Sequence, residues 1–505
     1  MSDGIEDKMS EKSIYARIKK CISEQGKLPA DFVTEEREFN EREIRFAPGA
    51  LEGIIGHHAA IQGENDSFIP VLKEYLAMEP ADAMEKFECE KAKDFKTATI
   101  RDGLLQSIYE NREEYDAERI GRLAVCFAEY GNRTETVKLG LSLMSLFNLS
   151  GNEAVCNMLK ILGYCEEFTD YVIGNTVGWS EDKKQELYFE LAKKLRGWGK
   201  INVVEMMKAD TEEKKEWLLC YGCQNDVLYA YLGFDCAMKC ELYERLQKGD
   251  FSDEEFAGAS DIMSGLLDEG PCQGMSALEH PVELTLLYLE ESKKHNWDAE
   301  QVALFTDIAS YFRESKIGNA ELIEPKVKEV LDCLDVRTYI IENLEKSTHE
   351  CMRIAKMYDV DMSEHLLRLM KMDFEKYYNY CYYLFTNNQC VDEFLDLCDR
   401  KIMYENFPNA MGDDFGLGAV QGKIKLDMIV QHLDKHVGRG HNMIKACIQS
   451  PITRWRNMAA KALLGWIKES GRSLKETDAK LYTEVERVYA IECNEQTKGM
   501  WEKLL

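Results

Sequence analysis

Proline is scarce in this chain, with 9 in 505 residues, and so are the other marks of a β-protein. No β-branched run alternates for five or more positions, and no Asn-Gly pair marks a hairpin, so strands are not expected. Positive charge is also in deficit: 63 Lys and Arg face 91 Asp and Glu, a formal charge of -28. Such a surface repels phosphate backbones, and no basic stripe with interleaved aromatics offsets it, which argues against a nucleic-acid binder. The longest apolar stretch, 139–147, is far short of the ~20 residues that cross a bilayer. The opening MSDGIEDKMSEKS carries neither an apolar signal core nor arginine-rich transit character. The expectation is therefore a cytoplasmic protein with no membrane partner, whose 17 cysteines stay reduced and act as small buried hydrophobes.

What is present favours helix. Hydrophobic residues make up 45% of the chain and aromatics 10%, enough for a real core. Asp116 reads as an N-cap, and Ile120, Leu123, Ala124, Phe127 and Ala128 then form one amphipathic stripe that Gly131 ends. Residues 134–147 are apolar nearly all round, as in a helix packed on both sides. Helical patterns recur at 153–165, 180–195, 212–219, 227–247, 281–295, 299–312, 323–334, 349–358 and 375–386. So many short helices cannot share one bundle core, whereas stacked pairs can bury each exposed face on the next pair. The expected fold is all-α: a right-handed α-α superhelix, or HEAT-like solenoid, of stacked antiparallel helix pairs. Its expected divisions are a charged, partly disordered segment (1–40), helical repeats (41–405), a glycine-rich loop (406–423) and C-terminal repeats with a cap (424–505).

The stretch Ser450-Pro-Ile-Thr-Arg-Trp-Arg-Asn-Met-Ala-Ala-Lys-Ala-Leu-Leu-Gly465 resembles the second half of a HEAT repeat. A Pro turn precedes a helix that opens apolar–Arg at Trp455-Arg456 and continues through Ala459, Ala460 and Ala462. The spacing before Gly465 departs from that pattern by one residue. Two other stretches, Phe46-Ala-Pro-Gly-Ala-Leu-Glu-Gly-Ile-Ile-Gly-His-His58 and Trp198-Gly-Lys-Ile-Asn-Val-Val-Glu205, resemble a group of bacterial helical-repeat proteins. The second stretch is followed by Glu216-Trp-Leu-Leu219 and by 225–231. Some members of that group carry the label limonene hydroxylase, which implies monooxygenase chemistry. The residues do not support it. Phe415-Gly-Leu-Gly418 lacks the cysteine of a haem-thiolate loop, and no histidine follows a glutamate by three positions. His432 and Asp434 at i and i+2 would point to opposite sides of a helix. No cofactor is expected.

Four places invite a site. Gly49, Gly53 and Gly56 fall on one helical face ahead of His57 and His58, and each interior glycine costs roughly 1 kcal/mol. Close helix packing is the first explanation; an enzyme pocket using Glu52, His57 or His58 is the second. Cys220, Cys223, Cys236 and Cys240 are spaced like zinc ligands, yet Cys236 also continues an apolar stripe. His432 and His436 stand at i, i+4 with His441 beyond, but lack a glutamate base and have Lys435 between them. No metal is expected at either place. Finally, Asp413 and Asp414 sit in the glycine-rich loop and could line a ligand. The favoured function is a non-enzymatic scaffold that binds a protein or peptide, of basic character, on its concave face.

Overall fold

The computed structural model describes residues 12–35, 46–58, 68–270, 272–407, 409, 412, 414 and 424–505. These residues are all-helical, and the one β-contact among them is an isolated bridge between Asp414 and Ile452. No described helix is long and apolar enough to cross a membrane. The chain divides into two compact units, the first reaching Cys333 and the second running from Leu334 to Leu505.

In the first unit, contacts run mostly between helices close in sequence. Asp116 caps Ala117–Tyr130 by accepting the amides of Glu118 (3.0 Å) and Arg119 (3.3 Å), and the stripe from Ile120 to Ala128 is buried. The following helix, Thr134–Met144, is buried at every position. Gly140 allows this: a Cβ there would lie 2.5 Å from the Ala128 amide nitrogen. The N-terminal helix Ile14–Gln25 is held by Ser13 at its start, buries Ile14 and Ile18, and packs on Ala117–Tyr130 and Glu153–Gly163. The expected single helix over 227–247 is two, Ala230–Lys239 and Leu242–Lys248, broken where Glu241 takes φ 56°. The pattern over 212–219 likewise ends in a π-turn, Leu218–Gly222.

In the second unit the HEAT-like stretch forms one long helix, Thr453–Ser470. Trp466 donates its indole N–H to the Leu433 carbonyl (2.7 Å), and Gly465 lies against the backbone of Asp434. Arg456 is fully buried against Glu492, which ties this helix to the C-terminal segment. The pattern over 375–386 breaks into Phe374–Tyr377, a 3-10 turn and Cys381–Asn387.

Candidate functional site

Residues singled out by the sequence gather in the first unit around the helix Ala50–His58. The three glycines do not form one helical face, because the helix starts after Gly49, which takes φ +72°. A Cβ on Gly49 would press the Glu166 carbonyl at 2.5 Å, and one on Gly53 would enter the Trp198 ring at 2.1 Å. Gly56 faces open space. Close packing thus accounts for two glycines, and for the third there is no structural reason on view. Trp198 is itself fixed at a helix start. The Glu166 carboxylate accepts the amides of Arg196, Gly197 and Gly199 at 2.7, 2.8 and 2.5 Å, occupying the positive end of Trp198–Met206.

Glu52 points inward. Its Oε1 accepts from Lys138 Nζ (2.7 Å) and from the Tyr171 hydroxyl (2.9 Å), all three side chains being buried. Lys138 also meets Glu167 Oε2 at 2.8 Å and lies over the Tyr171 ring. Nearby, Glu135 accepts the Thr97 amide at 2.8 Å, and Arg101 pairs with Asp170. Burial works against the charge on Lys138, but Glu167, Glu52 and Glu135 outweigh it and hold its pKa above the ordinary value. Burial also raises Glu135, with partial relief from Lys138 and Thr97. Three carboxylates therefore share one ammonium, and Glu52 Oε2 has no hydrogen-bond partner among the described residues. Two of Glu52's acceptor positions are spent on packing, which leaves it poorly placed to meet a substrate.

His57 points elsewhere. Its Nε2 lies 3.6 Å from Glu205 Oε1, and its ring packs with Trp198 and Tyr231, which also meet each other with centroids 4.9 Å apart. Burial, then the nearby Asp235, pushes Glu205 up to about 7 against the pull of Lys239. That lysine is committed to Asp235 Oδ2 (2.6 Å) and to the carbonyls of Val204 and Glu205. The side chain of His58 lies outside the described residues. The structure thus separates Glu52 and His57, one in a buried ionic cluster and the other beside a half-exposed carboxylate.

The first unit also holds a surface recess of about 390 Å³ lined by residues 225–230, Ser264 and Asp268. Its wall is braced. Lys200 donates to the Tyr221 (2.8 Å) and Gln224 carbonyls at the end of the π-turn. Asn225 Oδ1 then accepts the amides of Val227 (2.9 Å) and Leu228 (2.7 Å), and its Nδ2 donates to the Cys223 and Leu228 carbonyls. Across the recess, Gly233 and Gly265 bring Ala230–Lys239 and Asp253–Leu267 into backbone contact. The brace leaves Val227 and Leu228 exposed at 36% and 43%.

The other expected places resolve differently. Cys223, Cys236 and Cys240 are buried free thiols whose pKa values burial raises, and Cys236 packs on Gly222. His432 and His436 are not on one helix face, because the helix Asp427–Val430 ends before them and turns follow. Both rings instead pack on Phe385 (5.3 and 5.2 Å), and burial lowers both pKa values. Among the described residues no group of three or more His, Cys, Asp or Glu is arranged to hold a metal. Asp413 lies outside the described residues; Asp414 is tied by backbone to the Pro451 carbonyl (3.1 Å) and the Thr453 amide (3.0 Å).

Sequence reasoning missed Lys138, Tyr171 and Glu205. Lys138 and Glu135 did carry a signal, being charged residues within a helix otherwise apolar all round. Glu205 carried none, since its neighbours come from distant positions. No family model, curated protein or solved structure matches the chain.

Proposed function

We propose that the protein is a HEAT-like helical-repeat scaffold of stacked antiparallel helix pairs, working in the cytoplasm, that binds a protein or peptide partner. The observation that carries this reading is the braced recess. A loop fixed by Lys200 and Asn225 holds two aliphatic side chains, Val227 and Leu228, in solvent beside a hollow. Two adjacent exposed aliphatics on a braced loop beside a hollow are a surface that a partner can cover, and this supports a contact with another molecule. Packing mainly between helices near in sequence suits a repeat stack, whose expected binding surface is its concave face.

The test is affinity purification from the native host with wild type and with the double variant Val227→Ser/Leu228→Ser. A partner held by wild type and lost by the variant, at unchanged helicity and Tm, supports the scaffold. Partners indifferent to the double substitution, or none at any salt, remove it.

One observation favours a second reading as an enzyme. Glu205, near 7 and 3.6 Å from His57, suits proton transfer at neutral pH. A small molecule that co-purifies with wild type and not with Glu205→Gln would select that reading.

A further inference from the structure

We propose that a lysine or arginine of the partner caps the C-terminal end of the helix Asp253–Leu267 at Asp268, while an aliphatic residue next to it in the partner covers Val227 and Leu228. This rests on the scaffold reading and names the partner's chemistry. All three residues line the one recess and all three are exposed. The hollow is the size of a pocket for a few side chains, which selects a short segment as its occupant.

The cation follows from a charge that the fold leaves unanswered. Two carboxylates line the recess, and they differ in their partners. Asp226 has a cation of its own, with Arg196 Nε 3.6 Å from its Oδ2. Asp268 has neither an ion pair nor a side-chain hydrogen bond among the described residues. It is also the residue that follows the last turn of Asp253–Leu267, where the peptide dipoles present their negative end. That last turn contains no basic residue, although Asp253, Glu254 and Glu255 answer the positive end in the first. Helix end and carboxylate therefore add at one wall of the recess. A carboxylate is the wrong sign for that position, and an incoming ammonium or guanidinium relieves the repulsion while gaining from both. Tyr229 lines the same hollow, and its hydroxyl is pushed up to about 12 by burial and then by Asp261, Cys223, Glu300 and Asp226. Lys200 does not offset these acids at the surface, because it is committed to the Tyr221 and Gln224 carbonyls. A nucleic acid or anionic membrane would meet the same negative field and be repelled. The two halves of the proposal stand side by side: the braced loop supplies the apolar contact and the helix end supplies the charge.

The experiment uses the full chain and fluorescein-labelled peptides with Leu-Arg-Leu, Leu-Gln-Leu, Leu-Glu-Leu and Gly-Arg-Gly cores, read by fluorescence anisotropy. Leu-Arg-Leu is expected to bind tightest, with Leu-Gln-Leu and Gly-Arg-Gly each weaker by about fivefold or more. Asp268→Asn should weaken Leu-Arg-Leu about fivefold and bring it level with Leu-Gln-Leu, whose own binding stays unchanged. Val227→Ser/Leu228→Ser should weaken both of those leucine peptides. Asp268→Lys should turn the preference toward Leu-Glu-Leu, a reversal that a damaged fold does not produce. Equal binding of Leu-Arg-Leu and Leu-Gln-Leu to wild type, or no effect of Asp268→Asn, overturns the cation site while leaving the scaffold intact. No binding of any peptide overturns the docking chemistry. If partner capture is also indifferent to the Val227/Leu228 variant, the scaffold reading falls with it.

Discussion

Each unit of the chain buries a cation, and the two are wired in opposite ways. In the second unit Arg456 meets Glu492 through two parallel bonds of 2.8 and 2.9 Å, with both side chains at 0% exposure. Its remaining N–H groups reach the Ser450 and Pro451 carbonyls, while Glu492 also accepts from Asn494 and Trp501. One charge is matched by one, and every group has a partner. In the first unit Lys138 serves Glu52 and Glu167 with Glu135 close by, and one carboxylate oxygen is left over. A matched buried pair fixes geometry and is intolerant of loss; an oversupplied one has acid to spare. The comparison can be broken by substitution.

The largest effect is expected at Arg456. Arg456→Ala strands the Glu492 charge and should cost about 3–5 kcal/mol in urea unfolding followed by tryptophan fluorescence. A loss under ~1 kcal/mol would show that the pair is not desolvated as described. Lys138→Met should cost less, about 2–3 kcal/mol, because its three carboxylates can share protons once the ammonium is gone. Its penalty should therefore grow between pH ~5 and ~8. A penalty that does not change with pH would show that these carboxylates keep their charge without Lys138. Gly53→Ala drives a Cβ into the Trp198 ring and should cost about 1–3 kcal/mol, with a shift in tryptophan emission. Glu52→Gln keeps the acceptor that Lys138 and Tyr171 use, removes one surplus charge, and should change stability by less than ~1 kcal/mol. A larger loss would mean that Lys138 depends on Glu52 more than on Glu167.

The same contrast separates what the sequence made legible from what it hid. Local periodicity revealed the stripe from Ile120 to Ala128 and the all-buried helix after it, because both are decided within a few turns of chain. The break at Glu241 was hidden, since it uses an ordinary residue at φ 56° in place of the glycine or proline that normally signals a stop. The turn through His432 was hidden for the same reason: the i, i+4 spacing holds only if a helix runs through it. At the site, the strain at Gly53 was visible but its cause was not. Trp198 lies 145 positions away, and nothing local pairs the two. Arg456 stood out as the arginine of a HEAT-like helix, yet its partner Glu492 lies 36 positions on and was not foreseen. Long-range pairing, which decides where charge is buried, leaves little trace in periodicity.

The smallest predicted effect sets the two units against each other as pH rises from about 5 to 7. In the first unit burial raises Glu205 to about 7, Asp261 to about 6, and Glu135 above its ordinary value. A carboxylate whose folded pKa is raised contributes stability that is present below its unfolded pKa and lost as pH rises through the folded one. The first unit should therefore loosen across that window. In the second unit burial lowers His432 and His436 against Phe385, so the unfolded chain binds more protons there. Their contribution grows as pH rises through the ordinary histidine value, and the second unit should tighten. Hydrogen exchange, corrected for intrinsic rate and read separately over Trp198–Met206 and Thr453–Ser470, measures both slopes in one sample. Glu205→Gln should reduce the first slope alone, and His432→Gln with His436→Gln the second alone. Parallel slopes in the two helices would mean that the titrating groups act on the chain as a whole, and that burial in each unit does not set its own response to pH.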